Sequence, residues 1–233
     1  MNAAKISWQD FADGDGLAHA LATEVAAQLR AAISARGKAF IAVSGGTTPA
    51  LFFAALAATE VDWRKVVITL VDERFVERGS PRSNAALVND SLLRDNAAAA
   101  VFVDLFADAP DVGAAASALD ASFARLPWPL DVAIFGMGTD GHTASFFPDA
   151  PNLPQLLDPA STATVLPVNA PSVPEPRLTL SLARLCAARF PVLHIEGAEK
   201  RDLLRAAMAD QLPLPVLSLL NHCRAPVRIF WAP

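Results

Sequence analysis

The sequence predicts an α/β fold: a mostly parallel sheet with helices on both faces. Three observations carry this expectation. Short apolar runs alternate along the chain with alanine- and leucine-rich stretches of helical spacing, the pattern of strands and helices taken in turn. Three polar clusters, Ser44-Gly-Gly-Thr-Thr48, Asp72-Glu-Arg74 and Gly136 to His142, fall at predicted strand ends, which is where ligands sit in such sheets. The 233 residues suffice for one sizeable core, with no internal repeat and no clear linker, so residues 1–233 read as a single domain.

The elements follow in order. Leu17 to Ala35 has helical spacing, and Gly37 is its stop signal. Lys38 to Val43 reads as a strand running into Ser44-Gly-Gly-Thr-Thr-Pro49, and Pro49 suits the first turn of a helix continuing through Ala58. Val66 to Val71 is a second buried strand that ends at Asp72-Glu-Arg74. Ser83-Asn84 caps a helix running to about Leu93. A short strand over Val101–Val103, a helix over Val112–Leu126 and a strand over Val132–Phe135 come next. The proline-rich segment from Phe147 to Pro176 reads as an irregular flap holding one strand, Thr164–Val168. Leu178–Leu180 is extended, Ser181–Ala188 coils, and Val192–Glu196 is a strand. Ala198–Ala209 is a helix and Val227–Trp231 the last strand.

Composition excludes several classes. Hydrophobic residues make up 53% of the chain and mean hydropathy is +0.33, which excludes disorder. Much of that fraction is alanine, and no apolar run is long enough to span a bilayer, so no membrane partner is expected. The segment Met1–Asp10 lacks the regions of a signal peptide, which points to the cytosol. Nineteen Lys and Arg against 24 Asp and Glu give −5 without a basic block, so a nucleic-acid partner has no electrostatic support. An anionic substrate must be caught by a local cluster. Cys186 and Cys223 lie far apart in sequence, form no C-x-x-C, and read as buried thiols.

Each polar cluster admits two readings. Ser44-Gly-Gly-Thr-Thr48 between a strand and a helix is either an anion cradle of backbone N–H groups and hydroxyls, or a tight turn with an N-cap. It lacks the Gly-Lys-Ser/Thr of a nucleotide P-loop. Asp72-Glu73-Arg74 is either a solvated edge or a carboxylate–guanidinium group that orients a polar substrate. Gly136-Met-Gly-Thr-Asp-Gly141 is a literal G-x-G-x-x-G, but it lies past mid-chain, and Pro148, Pro151 and Pro154 leave little room for the helix that a dinucleotide needs. The alternative is that these glycines serve Asp140 and His142, the carboxylate fixing the imidazole tautomer or the substrate and the imidazole acting near neutrality. His19 falls in an amphipathic helix, His194 in a buried strand and His222 near the C-terminus. No two histidines share metal-ligand spacing, so no metal site is expected. A serine hydrolase is disfavoured because no Gly-x-Ser-x-Gly elbow occurs.

Taken together, Val43-Ser-Gly-Gly-Thr-Thr-Pro49, Asp72-Glu-Arg-Phe-Val76 with Ser83-Asn84, and Gly136-Met-Gly-Thr-Asp-Gly-His-Thr-Ala-Ser-Phe-Phe-Pro148 resemble the glucosamine-6-phosphate isomerase/6-phosphogluconolactonase family, on its lactonase side. Pro176-Arg177-Leu-Thr179 and Gly197-Ala-Glu-Lys200 match its later motifs, so the resemblance runs in order along nearly the whole chain. It implies a Rossmann-like fold shared with glucosamine-6-phosphate deaminase. The implied activity is hydrolysis of 6-phospho-D-glucono-1,5-lactone in the pentose phosphate pathway, by a carboxylic ester hydrolase that needs no cofactor. By the same resemblance Ser44, Gly45, Gly46, Thr47, Thr48, Arg177 and Lys200 hold the phosphate. Asp72, Arg74 and Asp140 lie around the sugar, and His142 is the base. The deaminases carry a glutamate five positions after the histidine, where this chain has Phe147 followed by Pro148, which favours the lactonase. A deaminase-like enzyme and a non-catalytic sugar-phosphate-binding module are the alternatives. The expected partner is a small sugar-phosphate lactone, with the protein a monomer or weak homodimer.

Overall fold

The computed structural model describes residues 6–233 except Thr47 and Arg78. Seven parallel strands form the main sheet, in the order β1-β10-β9-β6-β2-β3-β5. They are β1 (Ile6–Asp10), β2 (Ala39–Val43), β3 (Val66–Leu70), β5 (Val101–Phe102), β6 (Val132–Phe135), β9 (Phe190–Glu196) and β10 (Val227–Ala232). The predicted α/β sheet is therefore present. β2 and β6, at its centre, are buried at every position, which is why they read as unbroken apolar runs rather than alternating ones.

Helix α1 (Gly14–Arg36) begins three residues before its predicted start. Asp13 is its N-cap and accepts a hydrogen bond from Gly16 N at 2.8 Å, and Gly37 closes it in the left-handed conformation at φ 77°. Leu17, Leu21, Val25 and Leu29 recur at fourfold spacing and are fully buried. Each such burial stabilises the fold by roughly 1.5–3 kcal/mol relative to exposure. The stripe packs α1 on α2 (Ala50–Ala57) and against β2, β6 and β10.

The departure from expectation comes after β3. The chain leaves the main sheet at Val71 and starts a second, three-stranded antiparallel sheet. Its order is β4 (Asp72–Arg74), β8 (Arg177–Leu180), β7 (Val165–Val168). Asp72-Glu-Arg74 is thus a separate strand and not the tail of β3. The proline-rich segment carries α5 (Leu153–Leu156) and supplies β7, and α4 (Val112–Phe123) packs on β7 and β8. Helix α3 (Asn84–Ser91) has Ser83 as N-cap, its hydroxyl accepting from Ala86 N at 3.2 Å. The remaining helices are α6 (Leu182–Leu185), α7 (Ala198–Asp210) and α8 (Pro215–His222). The sequence reading left out β1 and α8. β1 is a half-buried edge strand with polar Ser7, Gln9 and Asp10, and α8 hides behind prolines although Pro215 occupies its first turn.

Candidate active site

A cavity of about 260 Å³ opens at the carboxyl ends of β2, β6 and β9, three adjacent strands. All three polar clusters reach it. Ser44, Gly45, Gly46 and Thr48 form the wall ahead of α2, while Thr47 lies outside the described residues. The N-cap of α2 is Pro49, which makes no side-chain capping bond. The helix start thus faces the cavity with no capping bond from Pro49, a geometry that suits an anion.

Alternation along β4 sorts the second cluster. Asp72 and Arg74 line the cavity, and Glu73 turns the other way, toward α3. Glu73 is 1% exposed and accepts hydrogen bonds from Arg74 N, Asn84 N and Ala85 N at 2.6–2.7 Å and from the Ser83 hydroxyl at 2.9 Å. Burial pushes its carboxyl above the ordinary value, against the pull of those four bonds. Asp72 accepts from Ser145 Oγ at 2.6 Å, and its own backbone carbonyl accepts from Asn84 Nδ2 at 3.0 Å. The solvated-edge reading of this cluster is corrected: Asp72 and Glu73 are buried.

Arg177 stands directly opposite Arg74 in the antiparallel pairing of β4 and β8, and both guanidinium groups line the cavity. Like charges facing each other across a ladder are destabilising on their own, and here carboxylates offset them: Glu175 lies 3.8 Å from Arg177 Nη2, and Asp72 is close by. Among the described residues neither Nε has a hydrogen-bond partner. Burial lowers the pKa of Arg177, opposed mainly by the nearby Asp72 carboxylate. Lys200, in the first turn of α7, completes the cationic lining.

The third cluster is a loop folded back on itself after β6. Gly138 N donates to His142 O at 3.0 Å, and Thr143 Oγ1 to Gly136 O at 2.8 Å. Val216 N, at the start of α8, donates to Gly141 O at 3.1 Å and ties the loop to that helix. His142 lines the cavity, and its Nδ1 donates to Asp140 Oδ1 at 2.5 Å. The carboxylate thereby selects the tautomer that leaves Nε2 as an acceptor. Burial works against the ionised Asp140, but the bonds from the His142 ring and backbone outweigh it and hold the carboxyl below its ordinary value. Asp140 thus supports the imidazole from the side and is not part of the cavity lining. Ala144 holds a positive φ of 48°, a strained conformation for a residue with a Cβ, beside the site. Gly138 has a different reason to be glycine: a Cβ there would overlap the His142 ring. Of the loop's three glycines, Gly138 makes room for the Asp140–His142 pair, while Gly141, at φ 80°, faces Leu214.

Among the lining residues to which the sequence reading gave no site role, Asn84, Phe147 and His194 stand out. Asn84 lies in the quoted Ser83-Asn84 motif, which gave it no role at the cavity. Phe147 packs on the His142 ring with centroids 4.5 Å apart. His194 was set aside as a strand residue, yet the end of β9 brings it to the cavity floor. Its position three residues before Gly197-Ala-Glu-Lys200, at a strand's carboxyl end, was the available signal. Among the described residues no three His, Cys, Asp or Glu side chains are grouped so as to hold a metal ion.

Known proteins match the chain over nearly its whole length. Residues 12–229 match the family model described as glucosamine-6-phosphate isomerases/6-phosphogluconolactonase. The chain is 54% identical over 233 residues to 6-phosphogluconolactonase of Mesorhizobium japonicum, covering 100% of this chain and 98% of that one. It is 48% identical over 225 residues to the 6-phosphogluconolactonase of Rhizobium meliloti, covering 96% and 97%. The crystal structure of a 6-phosphogluconolactonase from Shewanella baltica superposes with a TM-score of 0.94 at 36% identity, covering 98% of each chain. The chain belongs to the glucosamine-6-phosphate isomerase/6-phosphogluconolactonase family.

Proposed function

We propose that the chain, acting as one catalytic domain, hydrolyses 6-phospho-D-glucono-1,5-lactone to 6-phospho-D-gluconate in the oxidative pentose phosphate pathway. The names of its relatives support the substrate. The observation that carries the reading is the meeting of Arg74, Arg177 and Lys200 on one cavity with the imidazole of His142, which Asp140 supports. A phosphate at one end and a polar, electrophilic sugar ring at the other answer both features.

In this reading the uncapped start of α2, with Ser44, Gly45, Gly46 and Thr48, holds the phosphate together with Arg177 and Lys200. Asp72 and Arg74 lie along the sugar. His142 Nε2 takes a proton from water as the water oxygen bonds to the lactone carbonyl carbon, and Asp140 stabilises the resulting imidazolium. Collapse of the tetrahedral intermediate breaks the bond to the ring oxygen, which takes the proton back from the imidazolium and leaves as a hydroxyl, and the new carboxyl group ionises into water. The lactone carbonyl is already electrophilic, so a base, donors for the oxyanion and orientation suffice. Phosphate contacts supply that orientation from a distance. Phe147 puts an aromatic ring against His142, where a deaminase has its ring-opening carboxylate, and this favours hydrolysis.

The test is acid release on adding fresh 6-phosphogluconolactone, corrected for spontaneous hydrolysis, beside unphosphorylated gluconolactone. Two charge-assisted contacts of about 1.5–3 kcal/mol each predict a kcat/KM ratio of roughly 10² or more for the phosphorylated substrate. Equal values for the two lactones would overturn the assignment of the phosphate end.

A further inference from the structure

Beside the cavity lies a second histidine–carboxylate pair that the reaction above does not use, and of the two only His194 lines the cavity. His194 is 3% exposed, sits at the carboxyl end of β9, and lines the cavity floor. Its Nε2 lies 3.0 Å from Glu196 Oε1. The edge of Phe52, in the first turn of α2, meets its ring at 6.2 Å and 84°. This places the imidazole beneath the helix start assigned to the phosphate. The other carboxylate oxygen of Glu196 packs over Gly14, where a Cβ would stand 3.5 Å away, at the start of α1. A helix N-terminus favours a negative charge there.

The charged surroundings of the pair are few. Glu196 is on the same strand as His194, and Lys200 comes from the first turn of α7. α2 and β6 contribute no titratable side chain, and the only one on β10 is Arg228, whose register partner is Val192 rather than His194. Across the cavity stand His142, Asp72, Arg74 and Arg177. Asp13 and Asp15 at the start of α1 are exposed, the first engaged with Gly16 N. The His194 bond, opposed by burial and aided by Lys200, holds the Glu196 carboxyl below its ordinary value, so the carboxylate is charged at neutral pH.

We propose that His194 and Glu196 are positioning residues for the substrate phosphate: protonated His194 balances Glu196 at the phosphate end, and neutral His194 leaves Glu196 as an opposing negative charge. The proposal rests on the phosphate end assigned under Proposed function. Phosphate affinity is then weaker whenever His194 is neutral, while the water-activating step at His142 is untouched.

The experiment measures KM and kcat for the lactone, and the inhibition constant of 6-phosphogluconate, between pH 6 and 8.5 for wild type, His194→Gln and Glu196→Gln. Ratios to wild type at each pH cancel the titration of the substrate's own phosphate. His194→Gln is expected to raise KM and the inhibition constant about three- to tenfold at pH 6, the size of one partly screened charge contact, and to lose that effect by pH 8.5. Glu196→Gln is expected to lower both by a similar factor at pH 8.5, a gain in affinity that loss of structure cannot produce. kcat should stay within about twofold in both, as for contacts made equally in ground and transition states. Ratios that do not change with pH, or a fall in kcat larger than the change in KM, would overturn the proposal. Should His194→Gln fold poorly, the half-buried Glu196 variant decides alone. Failure of wild type to prefer the phosphorylated lactone removes the phosphate end itself, and the pair's role with it. A preserved preference with pH-independent ratios removes only the role of the pair.

Discussion

Replacing Gly138 by alanine should disable the enzyme by moving one ring. The Cβ added at this position would overlap Cε1 and Nδ1 of His142 and stand 2.6 Å from Asp140 Oδ1. It would lie about 1 Å inside the distance where ordinary contact with the ring begins. The backbone at 138 is not in the left-handed region, so the cost falls on the imidazole. His142 keeps 30% of its side chain exposed and can swing outward, leaving its bond to Asp140. A displacement of this order typically costs about 10² in rate, or roughly 2.7 kcal/mol of transition-state stabilisation. The assay is steady-state acid release from the phosphorylated lactone, with 6-phosphogluconate affinity and a melting curve as controls. kcat should fall about a hundredfold, with ligand affinity and melting temperature nearly unchanged. In a His142→Asn background the alanine should cost little more, because the two changes act through one group. Retention of more than about a third of wild-type kcat, or full additivity with His142→Asn, would refute the reasoning.

Four further outcomes follow from the same geometry. Glu73→Ala strips the acceptor from three backbone N–H groups and the Ser83 hydroxyl, and should cost about 2–5 kcal/mol, read as a melting temperature lowered by roughly 5–15 °C. A shift below about 2 °C would contradict its anchoring of α3. Lys200→Ala should raise KM with a smaller effect on kcat, as uniform binding of the phosphate requires, and the reverse split would place Lys200 at the reacting end. Asp140→Asn should lower kcat by about 10²–10⁴ through the wrong His142 tautomer. Because the Asp140 carboxyl is lowered in the fold, its charge is present above the ordinary carboxylate range and lost only as pH falls through that lowered value. Any kcat limb near neutrality should therefore survive scrutiny as not belonging to Asp140; a limb that stays in place in His142→Asn would say otherwise. Neither NAD nor NADP should raise the melting temperature, since the Gly136–Gly141 loop is filled by its own pair, and a saturating shift would revive a dinucleotide reading.

How much of this was legible in the sequence varied with the physics of each part. β2, β3, β6 and β9 could be read because strands buried on both faces must be continuous apolar runs. The strand-end rule then brought Ser44, Asp72 and His142 to one place, where the structure has its cavity. The second sheet was not legible, since β4 is three charged residues whose pairing with Arg177 spans about a hundred positions of chain. No local pattern announces that the carboxylate between Asp72 and Arg74 faces away from the cavity. Alternation shows it only once the residues are known to form a strand, and the partner that makes them one lies far along the chain. Ser83 could be read as a cap, but Glu73 as the acceptor for the same helix start could not. His194 was hidden by a sound rule, that a histidine within an apolar run is usually core. Its ring is buried, and only the sheet order puts it beside the cavity.

The account centres on His142 as the group that activates water, and the pH–rate profile of His142→Asn tests this most directly. The variant keeps a neutral polar side chain, removes the base, and leaves Asp72, Arg74, Arg177 and Lys200 in place. Loss of a general base typically costs about 10²–10⁴ in kcat. The account predicts a loss of that size on 6-phosphogluconolactone, with 6-phosphogluconate still bound at near wild-type affinity. It also predicts that wild-type kcat falls toward acid pH and that the residual activity of the variant does not. A variant that retains more than about a third of wild-type kcat, or keeps the same acid limb, would place the base elsewhere, with Asp72 the next carboxylate on the cavity wall.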